Sequence, residues 1–225
     1  NSKSSYIFHT RKDLGWDTLE KLRNASGIKV GCQSVGHDIY IMGRLFAWLL
    51  DLKEPNCIAG YSGPAINTAL MRGEVDGRAS ITDDIPKRTP EWLEKDLMDW
   101  HTIHEIPKGF RFRHPKFDSL PALHTFARSE VEKKVLQMQI NFRLVGSPYL
   151  LPPNTPKEQV KILREALRKV FKDPEFFASM KKLTGAVAYP LMPEEQEEAV
   201  KQIPRDPKAI AVFKQLAGAD PLPPR

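Results

Sequence analysis

The chain has 225 residues, 41% apolar and 28% charged, with a net charge of +6, two cysteines and the composition of an ordinary globular protein. Its basic residues alternate with carboxylates, as in "KEQVKILREALRKVFKDPE", and no strand-borne aromatic motif accompanies them, which argues against a nucleic-acid track and fits a binder of small anions. No apolar run is long enough for a membrane-spanning helix, because "LFAWLLDL" is short and contains Asp51.

In chain order, "SYIFHT" predicts a strand and "WDTLEKLRN" a short helix with Asp17 as its N-cap. "GIKVGC" is a strand leading into the helix "YIMGRLFAWLLDL", where Ile41, Met42, Leu45, Phe46 and Leu49 form one stripe. "NCIAGY" is the next strand, and "GPAINTALMRG" a helix with Pro64 near its start and Gly73 as its stop. "VDGRASI" predicts a strand, "TPEWLEKDL" a helix and "MDWHTIHEI" a strand. Such alternation predicts an α/β fold with a largely parallel sheet flanked by helices on both faces.

Residues 107–121 are irregular and basic. "SEVEKKVLQMQINFRL" is a helix opened by a capping box of Ser129 and Glu132, and Gly146 and Pro148 end it. "PYLLPP" predicts an extended crossing segment, placing a lobe boundary near 145–152. Beyond it, Thr155 and Glu158 suggest a second capping box. Val160, Leu163, Leu167, Val170 and Phe171 give the following long helix an apolar face. Asp173-Pro174 restarts a helix through Leu183, "GAVAYPLM" predicts a short strand, and two short helices follow.

Three strand-to-helix junctions suit a ligand, because loops at the carboxyl ends of parallel strands run into helix N-termini whose free N–H groups favour anions. In "CQSVGHD", Gly36 permits close approach to the backbone, and Gln33 and Ser34 are donors. His37 is either a ligand donor or an exposed turn residue, and Asp38 is a helix cap that would compete with an incoming carboxylate. In "GYSGP", Ser62 supplies a hydroxyl, Gly63 leads into Pro64, and Tyr61 is either a cleft wall or a packed core aromatic. "RASITDD" contributes Ser80 and Thr82.

Other chemistries fit less well. His101 and His104 form H-x-x-H on a predicted strand, where residues three apart face opposite sides, so no metal site is expected. No G-K-[ST] follows the glycines, which argues against a phosphate loop. Cys32 with His37 and Asp38 would make a nucleophile set only if the imidazole reached back across a helix start to the thiol.

The run "IKVGCQSVGHD … IAGYSGPAINTALMRGEVDGRAS" resembles the second lobe of the TctC-like, or Bug-type, extracytoplasmic solute receptors of tripartite tricarboxylate transporters. The stretch "LPALHTFA … LVGSPYLLPPNTPKEQVKILREALRKVFKDPEFFASMKKLTG" is similar to the return segment of that family. The resemblance implies a periplasmic binding protein type II fold whose two lobes close over a small carboxylated solute. Residues 1–12 would then be a hinge strand, 13–145 the second lobe with the ligand loops, and 146–225 the crossing segment and helical return to the first lobe. It implies ligand contacts from Gln33, Ser34, Gly36, His37, Tyr61, Ser62 and Gly63, followed by Ser80 and Thr82. It also implies a removed signal peptide, a first-lobe segment that this sequence starts beyond, membrane transporter partners, a monomer and no cofactor. The insertion "PKGFRFRHPKF" departs from the family pattern. The alternatives to this receptor are a hydrolase-type enzyme using Cys32 in the same cleft, and a basic interaction module.

Overall fold

The alternation of strands and helices builds one five-stranded sheet, in a computed structural model describing residues 4–146, 148–184 and 188–225. The chain divides into two compact units, the larger of residues 4–137 and 204–225 and the smaller of residues 138–203.

The larger unit opens with β1 (Ser4–Arg11) and α1 (Leu19–Asn24). Three strand–helix repeats follow: β2 (Lys29–Gly31) with α2 (Asp38–Leu49), β3 (Asn56–Ile58) with α3 (Gly63–Met71), and β4 (Gly77–Ile81) with the short α4 (Ile85–Arg88) and α5 (Pro90–Glu94). Next come β5 (Met98–Ile106), the single turn α6 (Pro115–Asp118) and α7 (Glu130–Leu144), whose last residues belong to the smaller unit.

The sheet order is β3-β2-β4-β1-β5. β2 pairs in parallel with both β3 and β4, whereas β1 is antiparallel to both β4 and β5. Four of the five strands therefore share one direction, as the sequence leads one to expect, and β1 alone runs against them. β1 lies between two partners and is buried along nearly its whole length. An uninterrupted "YIF" at its centre, with no polar alternation, follows from that position.

Helices pack closely on this sheet. A Cβ on Gly31 would lie 2.6 Å from Ile66 Cγ2, so a side chain there would push α3 off β2. α2 is buried almost all round, and its Phe46 ring sits 5.6 Å from that of Phe8 on β1. Such a helix needs cover on its outer side as well. α11 (Pro207–Ala217) supplies it, with Tyr40 donating to Gly218 O at 2.8 Å. At the chain end, Arg225 Nε donates to Glu132 at 2.7 Å, and Arg225 Nη1 lies 2.9 Å from Asp51.

Helix caps bring several corrections. Thr18 caps α1, its Oγ1 accepting from Lys21 N at 3.2 Å, while Asp17 pairs with the Lys21 ammonium at 2.8 Å. His37 caps α2 in place of Asp38, its Nδ1 accepting from Ile39 N at 3.2 Å. The box on α7 forms as expected, with Glu132 N donating to Ser129 Oγ at 3.2 Å and Ser129 N to Glu132 at 2.9 Å.

The smaller unit contains α8 (Lys157–Val170), α9 (Pro174–Thr184) and α10 (Pro193–Lys201). Thr155 does not cap α8; its hydroxyl donates to Pro152 O at 2.7 Å, and the helix starts after Pro156. The strand expected over 185–192 falls partly outside the described residues, and 188–192 is not strand. α8 and α9 have no buried residue. Their apolar sides line a shallow pocket of about 550 Å³ with Tyr149, Leu150, Phe171, Phe176, Met180 and Tyr189.

Candidate functional site

Because β3, β2 and β4 are adjacent and parallel, their carboxyl ends lie along one edge of the sheet. The three sequence-predicted loops all leave from that edge, and two of them enter the N-termini of α2 and α3. They are also joined by backbone: Cys32 N donates to Ile58 O at 2.9 Å, and Tyr61 N to Cys32 O at 3.4 Å.

The first loop closes a four-residue turn in which His37 N donates to Ser34 O at 3.0 Å. Gly36 takes the third position with φ of 80°, a backbone region that favours glycine. Ser34, Val35, Gly36 and His37 are exposed, and the N–H groups of Ser34, Val35 and Gly36 donate to no protein acceptor among the described residues. Consecutive free N–H groups before a helix N-terminus form a concavity for an anion. The His37 ring is turned onto its own helix by the Ile39 contact. The carboxylate of Asp38 accepts a hydrogen bond from the Tyr6 hydroxyl.

Gln33 is half-buried and bridges the first two loops: its Nε2 lies 3.2 Å from where a Gly63 Cβ would stand. Its Oε1 is buried without a protein partner. In the second loop Ser62 caps α3, its Oγ accepting from Ala65 N at 3.4 Å. Tyr61 packs against the cluster of Ala69, Leu70, Val75, Trp92 and Met98, and its hydroxyl donates to Glu74 at 3.4 Å.

The third pair lies deeper. Ser80 Oγ is 2.9 Å from His9 Nε2, and Thr82 donates to Ser5 O at 3.2 Å; both residues are buried. Burial, the nearby Arg78 charge and His101 hold the His9 imidazole well below its ordinary range. His101 and His104 lie on β5 as expected and meet different neighbours: His101 Nε2 sits 2.8 Å from Thr10 Oγ1, whereas His104 feels the charge of His124.

Arg78 on β4, a residue outside the three loops, borders the second of them. Its guanidinium lies against the first turn of α3, with Nη1 donating to Gly63 O at 3.1 Å and to Asn67, and Nε to Ala79 O at 3.1 Å. Burial holds it down at about 10. An arginine inside the otherwise apolar and small "GRASI" strand was the available signal, since a charged residue is almost never fully buried without a partner.

Cys32 lacks the surroundings of a nucleophile. A hydrogen bond shared with Cys57, and then burial, push its thiol up, the reverse of what thiolate chemistry needs.

No protein-family model and no curated protein matches the sequence. Solved structures do match in three dimensions. The periplasmic binding protein BugD aligns with a TM-score of 0.58 at 18% identity, over 97% of this chain and 68% of its own. A TctC solute binding protein from Polaromonas aligns with a TM-score of 0.59 at 14% identity, over 95% and 66%. MatC from Rhodopseudomonas palustris, solved with bound malate, aligns with a TM-score of 0.55 at 16% identity, over 96% and 67%. The chain thus spans about two thirds of the length of each. These similar structures are binding proteins, and the fold of this chain is the fold of periplasmic solute-binding proteins of the TctC and Bug type.

Proposed function

We propose that the chain is the carboxylate-capturing part of an extracytoplasmic solute receptor, working in the periplasm as a monomer with membrane transporter subunits of the tripartite tricarboxylate type. One observation carries this reading: at the shared edge of β2, β3 and β4, the uncommitted N–H groups of Ser34, Val35 and Gly36 precede the N-terminus of α2, in a loop joined by backbone to the one that enters α3. A carboxylate there gains hydrogen bonds from donors that are already in position and favourable interaction with the dipole of α2. Gln33, Ser34, Gly36 and His37 form one side of the site and Tyr61, Ser62 and Gly63 the other. Ser80 and Thr82 support them from beneath. The fold shared with MatC, which was solved with malate, favours a small organic acid as the ligand. Capture needs no bond making, and the raised Cys32 thiol gives the enzyme reading no support.

A thermal-shift screen against malate, adipate, citrate and benzoate tests it, with the corresponding amides as uncharged controls. An acid present at about 100 times its Kd adds roughly 2.7 kcal/mol of stability, a shift of several degrees in a protein of this size. A shift by one of the acids and none by its amide is the expected result. Equal shifts from acid and amide, or no shift across the four acids, would overturn the reading.

A further inference from the structure

Two arginines, Arg44 and Arg78, are buried to the same degree, each 6% exposed, but in opposite electrostatic settings. Arg44 donates to Leu216 O at 3.0 Å, Gln215 O at 3.1 Å and Asp220 O at 2.5 Å. The first two carbonyls are in the last turn of α11 and the third lies just beyond it, at the negative pole of that helix, so the cation is compensated where it lies. Arg78 lies instead against the first turn of α3, the positive pole. Its acceptors, Gly63 O, Ala79 O and the Asn67 amide oxygen, are all neutral. Among the described residues no carboxylate lies within ion-pair distance of it; Cys32 and, after it, Asp84 favour its charge, and Arg88 opposes it. Its Nη2 donates to no acceptor among the described residues. A buried charge ordinarily comes with a paired charge, and this one stands at a helix end of its own sign.

We infer that Arg78 is the specificity-determining cation of the ligand site: the counter-ion missing from the protein is the carboxylate seated between the 33–37 and 61–63 loops, with Nη2 as the donor reserved for it. The inference rests on the carboxylate reading above and adds the residue that makes the site select an anion over its neutral isostere. The Gly63 carbonyl and Asn67 hold the guanidinium against the start of α3, and Gln33, whose Nε2 also approaches Gly63, carries an uncommitted Oε1.

The test is calorimetric titration of malate, adipate, citrate and benzoate, each with its amide, into the wild-type chain and into Arg78→Lys, Arg78→Gln and Asn67→Asp. The wild type should bind at least one acid and reject its amide. Arg78→Lys should stay within about tenfold of it, and Arg78→Gln should lose thirtyfold or more while no longer separating acid from amide. Asn67→Asp places a carboxylate beside Nη1, which should raise the melting temperature of the ligand-free protein and weaken acid binding at least tenfold, since the counter-ion is then built in. A purely structural Arg78 would also show the higher melting temperature, but with acid affinity unchanged, and that result overturns the inference even if Arg78→Gln fails to fold. A folded Arg78→Gln that binds acid like the wild type overturns it as well. If the wild type binds none of the four acids, the carboxylate reading itself fails and takes this inference with it.

Discussion

The two units place their apolar side chains very differently. In the larger one, Phe8, Phe46, Trp92 and Phe117 are fully enclosed. In the smaller one, Leu150 and Leu183 are 82% and 81% exposed, and α8 and α9 bury nothing completely. Amphipathic periodicity is clear in α8, yet none of its residues is fully buried, whereas α2 is enclosed almost all round. Pattern specifies which face of a helix needs cover, and the partner that provides it has to come from elsewhere in the fold.

The largest expected difference between the units is in their response to acid. All six histidines lie in the larger unit, and three of them are buried. Burial lowers His101 to about 4, burial and then His124 lower His104 to about 3, and burial with Arg78 and His101 lowers His9. The unfolded chain takes up these protons near pH 6.5 and the folded chain does not, so stability is full above 6.5 and falls as pH drops towards 4 and 3. His101 alone accounts for a loss on the order of 3 kcal/mol at pH 4. All four tryptophans also lie in the larger unit, so their fluorescence follows its unfolding while helical circular dichroism follows both units. The urea midpoint by fluorescence should fall steeply between pH 7 and 5, above the range where carboxylates titrate. A midpoint flat over that interval would mean that the buried imidazoles are not held neutral.

Side-chain truncation sharpens the same contrast. Phe46→Ala should cost about 3–5 kcal/mol, because it opens a cavity beside Phe8 in a closed core. Leu163→Ala, at a position 45% exposed on α8, should cost less than about 0.5 kcal/mol. Urea denaturation of both variants decides it. A comparable loss from the α8 substitution would show that this face is covered in solution.

Much of the larger unit was legible because strand and helix periods alternate cleanly from "SYIFHT" to "MDWHTIHEI" and each helix begins at a residue able to cap it. The caps themselves slipped by one position. Thr18 and Asp17, like His37 and Asp38, are adjacent candidates, and only the entry angle of the chain decides which oxygen or nitrogen meets the free N–H. The reversed β1 and the return of residues 204–225 to α2 depend on contacts distant in sequence, which no local pattern carries. The three candidate loops were legible as polar strand ends, two of them with glycines and leading into helix starts. Arg78 was not, since loop patterns carry no information about a charge within β4, and the pole of α3 that it touches is set by tertiary packing.

The smallest expected effect concerns what holds the smaller unit together. Arg164 pairs with Glu197 at 2.6 Å, and Arg168 with Glu194, but these side chains are about half open to water. Exposed pairs of this kind contribute about 0–1 kcal/mol and are screened by salt. Arg164→Ala should therefore shift the helical circular-dichroism transition by no more than the equivalent of about 0.5 kcal/mol, and added sodium chloride should not lower it. Arg164 also borders the pocket of Tyr149, Leu150 and Phe176, so its aliphatic stem shields apolar surface whatever its charge does. Arg164→Met keeps that stem and removes the pair, and it should match the wild type. If Arg164→Met unfolds as early as a helix-breaking substitution would, the ion pairs carry the unit, and the contrast between a unit held by its core and one held by shallow apolar contacts would have to be redrawn.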